Sequence, residues 1–424
     1  MNDRGELTVL DSLPEQFHCP GERHPVSRSI HLARLAAGHA ACRQCERRGE
    51  AGNLPKIVTT RLRTDARRST LDIASSSEIR GIYINELTRE RMAGLVQQVL
   101  DIVDEERRFD SDGSPRSVGA LQVVVGFDGR PSSPDLSVGV VNVLRQWTVD
   151  AIDVGQVSRP AFDFAVQRFR PHIGIYVTGG THGAAWTGLD LLDAQCLPWQ
   201  GIDKLGRFEQ DPTLRAARVG RTPGRYLPME INTEYQAAIA LQFHGMRPLR
   251  LGVVCQDVGI RNTLRSLLEG TPCDVHLLQT GAAGTERSSK PLPDIVCERH
   301  LDLGVVIATD GRACQLYDET GVELGSEDLQ RLLLTPLRQD DRERAAISKL
   351  PNVQMGEREL RQRQLEFGLP VVADDAGRCW FLNETPACDA IQTLARTLEV
   401  LSLSERPASG YRLQPKAMHR EKRS

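Results

Sequence analysis

Apolar positions recur at helical spacing between Glu86 and Val103, where Leu87, Met92, Leu95, Val96, Val99, Leu100 and Val103 share one face. The texture then changes. Leu121–Gly126 (LQVVVG) is a short β-branched run, the pattern of a strand buried in a parallel sheet. Ser137–Thr148 reads as the next helix, Val149–Val154 as a strand, Pro160–Arg168 as a helix and His172–Thr178 as another buried strand. Farther on, strands are expected at Arg250–Cys255, Asp274–Gln279 and Leu303–Ala308, and helices at Glu234–Phe243, Asn262–Leu268, Ser326–Leu334 and Cys388–Ser402. Strands alternating with helices of this length predict an α/β protein of repeated βαβ units. Before residue 76 the pattern is weaker. Residues 1–52 contain one amphipathic helix, Ser29–Ala37, and residues 53–75 are polar and Arg-rich, which predicts a linker.

The 424 residues allow two to four domains. Hydrophobic residues at 40% and charged residues at 26% are an ordinary globular balance, and the net charge of −3 provides no basic field for nucleic acid. Arg61, Arg63, Arg67-Arg68 and the basic tail from His419 to Arg423 read as solvated faces. No apolar run approaches the ~18 residues of a membrane span. The first thirty residues carry Asp3, Glu6, Asp11 and Glu15 and no apolar signal core, so a cytoplasmic protein is expected. Most of the ten cysteines stand singly in apolar segments, as Cys196, Cys255, Cys273 and Cys314 do, and read as buried thiols.

Four residues near the start break that rule. Cys19, His24, Cys42 and Cys45 have the spacing C-x4-H-x17-C-x2-C. A C-x2-C knuckle presents two thiolates on one turn, and a second Cys/His pair completes a tetrahedron for structural zinc. His18, His31 and His39 compete with His24 for the fourth place. A zone of some fifty residues has little core, so a metal would supply folding energy, and such a module offers a site for a protein partner.

Two loop motifs carry the densest signal. One is Val123–Pro134 (VVVGFDGRPSSP) and the other Ile175–Gly188 (IYVTGGTHGAAWTG). Together they resemble the first domain of the α-D-phosphohexomutases, with its V-G-x-D-x-R-x-S-S-P turn and T-A-S-H-N-P loop. Ile79-Arg80-Gly81 followed by Asn85-Glu86-Leu87-Thr88 is similar to the family's G-I-R-G opening and E-L-T helix start. Leu303–Gln315 (LGVVIATDGRACQ) resembles the strand that ends in D-G-D-x-D-R, and Tyr317–Gly321 the D-E-x-G hairpin. Ala373–Phe381 resembles the sugar-contacting G-E-x-S-G-H segment, and Cys388–Ile391 the helix start after it.

The Cys/His spacing and the polar text after it give a small zinc-type module (1–52) and a linker (53–75), and the resemblance implies three consecutive α/β/α domains at 76–225, 226–300 and 301–405. Residues 406–424 would be a tail, the fourth family domain being expected absent despite Arg406–Gly410. It also implies a phosphoryl shuttle on a hexose phosphate through a phosphoserine and magnesium. Thr181, followed by His182, stands at the phosphoserine position, with Arg80 and Arg130 as catalytic partners and Asp374, Gly377 and Arg378 as sugar contacts. Asp310 alone remains of the metal motif, since Arg312 and Cys314 fill the other carboxylate positions, and Asp190 replaces the loop's closing lysine. One carboxylate beside an arginine is a poor magnesium site. Weak or absent mutase turnover is therefore expected. The alternative is a non-catalytic protein that binds a sugar phosphate and uses its zinc module to recruit a partner. Asp128 and Asp310 each also suit a plain Asp-Gly turn after a strand.

Overall fold

The computed structural model describes residues 16–19, 24–37, 39, 42, 45–63, 73–74, 78–108, 120–205, 222–278, 290–335, 355–382, 384 and 387–412. Arg67-Arg68 and the basic tail at 419–423 lie outside this set. In the leader, β1 (Gln16–Phe17) pairs antiparallel with β2 (Val26–Ser27), and α1 (Arg28–Ala37) follows directly. The segment expected as a linker contains a helix, α2 (Lys56–Arg63), because Val58 finds a buried place on one face of an otherwise polar turn.

The first sheet has six strands: β3 (Glu78–Ile82), β4 (Gln122–Phe127), β5 (Asp150–Gln156), β6 (Ile173–Val177), β7 (Trp186–Leu192) and β8 (Tyr226–Pro228). Their order is β3-β7-β6-β4-β5-β8, with β6, β4, β5 and β8 parallel and β7 antiparallel to both its neighbours. Every residue of β6 is buried, as its unbroken apolar text requires. Helices α3 (Arg89–Arg108) and α4 (Ser133–Gln146) cover one face and α5 (Arg159–Phe169) the other. Ser158 caps α5 by accepting from Ala161 N, and Pro160 sits in its first turn, where no amide partner is lost.

After α6 (Asn232–Ala240), a second sheet is built from β9 (Arg250–Cys255), β10 (Asp274–Leu278), β11 (Leu303–Ile307) and β12 (Cys314–Asp318), in the order β10-β9-β11-β12. Helices α7 (Val258–Leu268) and α8 (Leu292–Glu298) form its crossovers. This sheet corrects the expected boundaries. β11 is hydrogen-bonded to β9 in parallel register, Leu303 opposite Leu251, so a division at 300/301 would cut through the sheet. β8 likewise pairs with β5, which carries the first sheet past residue 225.

The chain closes with α9 (Ser326–Leu333), α10 (Glu357–Phe367), the hairpin β13 (Val371–Ala373) and β14 (Cys379–Phe381), and α11 (Ala390–Ser404). Residues 406–412, expected as the start of a tail, dock on the core: Ala408 and Tyr411 are buried, and Ser409 bonds to Glu319. One apolar cluster runs from Val124 in β4 through β9 and β11 to α11 and Tyr411. Among the described residues, no helix is long and apolar enough to cross a membrane. All ten cysteines are free thiols.

Candidate active site

The turns after β4, β6, β9 and β11 meet at the carboxyl ends of both parallel sheets, where open α/β folds place ligands. They enclose a cleft of about 650 Å³ that takes in Arg80, Arg130, Thr181, His182, Asp310 and Arg378. The structure thus brings six of the predicted site residues together.

Asp128 is far more than a turn residue. Its carboxylate accepts from Arg130 N (3.1 Å) and Nε (3.0 Å), Ser133 Oγ (2.5 Å), Thr178 Oγ1 (2.8 Å) and Gly179 N (3.3 Å), locking the turn after β4 to the turn after β6. Arg130, so oriented, spends its two remaining nitrogens on backbone. Nη2 donates to Gly180 O (2.6 Å) and His182 O (2.9 Å), and Nη1 to Gly183 O (2.9 Å) and Trp186 O (3.3 Å). Gly179 has no room for a side chain, since a Cβ there would lie 2.5 Å from the Arg130 guanidinium carbon. Arg130 is therefore a frame for the 179–186 loop. Thr181 and His182 stand exposed on that loop, the His182 ring tilted against Trp186 at 4.7 Å between centroids.

Beneath the loop lies a buried ion network. Asp190 on β7 receives Arg80 from β3 and Arg159 from the start of α5, and Arg159 also holds Asp163 at 2.8 Å. Burial raises the Asp190 carboxyl, but Arg80 and Arg159 outweigh it and hold the group below the usual range. Asp163 goes the other way, because burial outweighs the attraction of Arg159. Arg159, Asp163 and the constructive role of Asp190 were not foreseen. The only local sign was the Ser-Arg-Pro helix start.

On the opposite wall, Asp310 Oδ1 accepts from Arg312 N at 3.0 Å. Arg312 is 9% exposed and turns inward to Glu357 at 2.5 Å; its Nε is buried with no hydrogen-bond partner among the described residues. Glu357, at the start of α10, is held below its ordinary range because Arg312, with Arg159 and Arg378 behind it, outweighs burial. No pattern in the sequence announced Glu357. Arg378 bonds to Asp374 (Nε–Oδ2 2.7 Å) and lies 3.8 Å from Glu357. Asp374 and Gly377 stay out of the cleft. The first orients Arg378, and the second sits in the β13–β14 turn, where its carbonyl accepts from Cys314 N at 3.0 Å. The residues at the metal motif do not fit magnesium. Arg312 places a cation there already, and burial pushes the Cys314 thiol up to about 12, leaving it protonated.

In the leader, Cys19, Cys42 and Cys45 are buried, whereas His24 is exposed, as are His18 and His39. The buried histidine is His31.

With this geometry in view, the comparisons with known proteins converge. Residues 73–200 match the model of phosphoglucomutase/phosphomannomutase, alpha/beta/alpha domain I. Over residues 73–200 the chain thus carries the first domain of that family. It is 19% identical over 336 residues to the phosphoglucosamine mutase of Francisella tularensis subsp. tularensis, covering 70% of this chain and 73% of the relative. To the phosphoglucosamine mutase of Parafrankia sp. it is 26% identical over 265 residues, 57% of each chain. Its fold superposes with a TM-score of 0.63 on a phosphoglucomutase/phosphomannomutase family protein from Burkholderia thailandensis, at 20% identity and over 81% of this chain and 79% of that one. A putative phosphomannomutase from Thermus thermophilus gives 0.60 at 15% identity, over 80% and 81%.

Proposed function

We propose that this chain is a member of the α-D-phosphohexomutase superfamily that binds a hexose phosphate in its arginine-lined cleft, and does so without magnesium, with little or no mutase turnover. Arg312 carries the reading. A buried guanidinium, paired to Glu357 and with Nε unpartnered, stands where the resemblance puts a metal-binding carboxylate. It can donate to a phosphate or a sugar hydroxyl, but it cannot withdraw charge from a transferring phosphoryl group as a bound divalent ion does. The relatives act on phosphoglucosamine by name, which makes hexosamine and hexose phosphates the ligand class to try first. Cytoplasmic residence suits ten reduced thiols.

Calorimetric titration of phosphoglucosamine, glucose 1-phosphate and mannose 1-phosphate, each with chelator, tests the reading. At least one should bind. Arg312→Gln should weaken it about tenfold or more, since a charge-assisted hydrogen bond is worth ~1.5–3 kcal/mol. Failure of all three to bind overturns the reading, and so does magnesium-dependent turnover abolished by Thr181→Ala.

A second reading, a divergent mutase carrying phosphate on Thr181, draws on one observation: the loop bearing Thr181 is pre-set by the four carbonyl bonds of Arg130. Mass spectrometry of the peptide containing Thr181 decides between them. A stoichiometric phosphothreonine there would favour the mutase.

A further inference from the structure

The leader poses a packing problem that the cleft does not solve. Its buried apolar side chains among the described residues are Phe17, Leu35 and Val58, and none of them joins the apolar clusters of the rest of the chain. The other buried groups of this segment are Cys19, His31, Cys42 and Cys45. A fold this short, with three large apolar groups inside, does not cover its chain-entropy cost by burial alone.

These four groups fall into two pairs. Cys19 Sγ lies 3.7 Å from His31 Nδ1. Cys42 and Cys45 share one turn, Cys45 N donating to Cys42 O at 3.4 Å. Arg47, two residues past Cys45, donates to Gln16 O at 3.5 Å, which ties the Cys42–Cys45 turn to the strand that leads into Cys19. His31 is 1% exposed, and its Nε2 is buried without a hydrogen-bond partner among the described residues. Phe17 stacks on the imidazole at 4.3 Å, and the Arg47 guanidinium covers the Phe17 ring at 4.2 Å, fixing the histidine in place.

We infer that Cys19, His31, Cys42 and Cys45 form a tetrahedral zinc site that folds the leader. His24, the sequence choice, is exposed and out of the cluster. Among the described residues no group of three or more donors is closed tightly enough around one point to hold a metal as it stands, so binding must draw the thiols inward. The Cys19–His31 pair is already spaced for it. Zn–S of ~2.3 Å and Zn–N of ~2.0 Å in a tetrahedron give an S···N edge of about 3.5 Å. Binding releases three thiol protons and leaves three thiolates, one neutral imidazole and Zn²⁺, a net charge of −1.

Metal analysis of the purified full chain should find about one zinc per chain. His24→Ala should keep it, and His31→Ala and Cys42→Ser should lose it. Because those two variants could simply leave the leader unfolded, the unaltered protein supplies an independent readout. On exposure to iodoacetamide, peptide mass spectrometry should show Cys19, Cys42 and Cys45 unmodified until a chelator is added, while the exposed Cys297 reacts at once. Cobalt in place of zinc should show the visible bands of a tetrahedral thiolate site. Zinc absent from the chain, zinc lost with His24→Ala but kept with His31→Ala, or chelator-independent labelling of the three cysteines would each overturn the inference. None of these outcomes depends on what the cleft binds.

Discussion

Arg130 and Arg312 are both guanidinium groups in one cleft, yet the structure uses them differently. Arg130 is consumed by backbone carbonyls, and its planar fork suits four acceptors at once. Arg130→Lys should therefore release the 179–186 loop nearly as well as Arg130→Ala, seen as faster amide hydrogen exchange confined to those residues. Arg312 faces one buried acid. Arg312→Ala strands Glu357 and should cost about 3–5 kcal/mol in denaturant unfolding. Adding Glu357→Gln should recover part of that loss, and a double-mutant cycle measures how much. Asp128 was legible in the sequence as a turn residue or a site residue. The structure shows how it serves both turns, through bonds to Thr178 and Gly179 some fifty positions away that local text cannot display.

Strands β4, β6, β9 and β11 were readable because each is an unbroken apolar run, and α5 and α11 because their caps and faces agree. Strand β7 was not read, since Thr-Gly-Leu-Asp mixes polar and apolar residues; it is a strand because β3 and β6 flank it. Gly188 makes the first pairing feasible. A Cβ there would sit 1.7 Å from Ile79 O, so Gly188→Ala should part β3 from β7, displace Arg80 and destabilise the fold by several kcal/mol on thermal or chemical melting. Helix α11 carries a pH signature. Asp389 caps it from a buried position, accepting from Ile391 N (2.8 Å) and from Tyr235 Oη (2.8 Å), and burial lifts the carboxyl from 3.8 to about 6. The folded state holds that proton more tightly than the unfolded state. The associated stability is complete below about pH 4 and is lost as pH rises through 6, at most about 3 kcal/mol. Asp389→Asn, which keeps the cap acceptor, should flatten that part of the stability-versus-pH curve.

At the scale of the molecule, the class of fold and the place of the cleft could be read, whereas the seams could not. The expected division at 300/301 rested on the resemblance of Leu303–Gln315, a strand followed by Asp-Gly, to a third-domain strand of the family. That pattern marks a loop at a sheet's carboxyl end and says nothing about which sheet the strand joins. Glu357 was invisible because α10 is polar almost throughout and meets Arg312 only after the chain has folded back. Arg358, one residue on, bonds to Asp193 and to Pro198 O (2.7 Å), tying α10 to the segment that follows β7. If a hexose phosphate bridges the two walls, it should raise the melting temperature in proportion to the logarithm of its concentration above Kd. The continuous apolar cluster from Val124 to Tyr411 has a consequence for how the protein comes apart. Because both sheets contribute to that one interior, neither half can be lost while the other keeps its core. Differential scanning calorimetry of residues 73–412 should trace one endotherm, and two resolved peaks would mean that the shared interior is not what couples them.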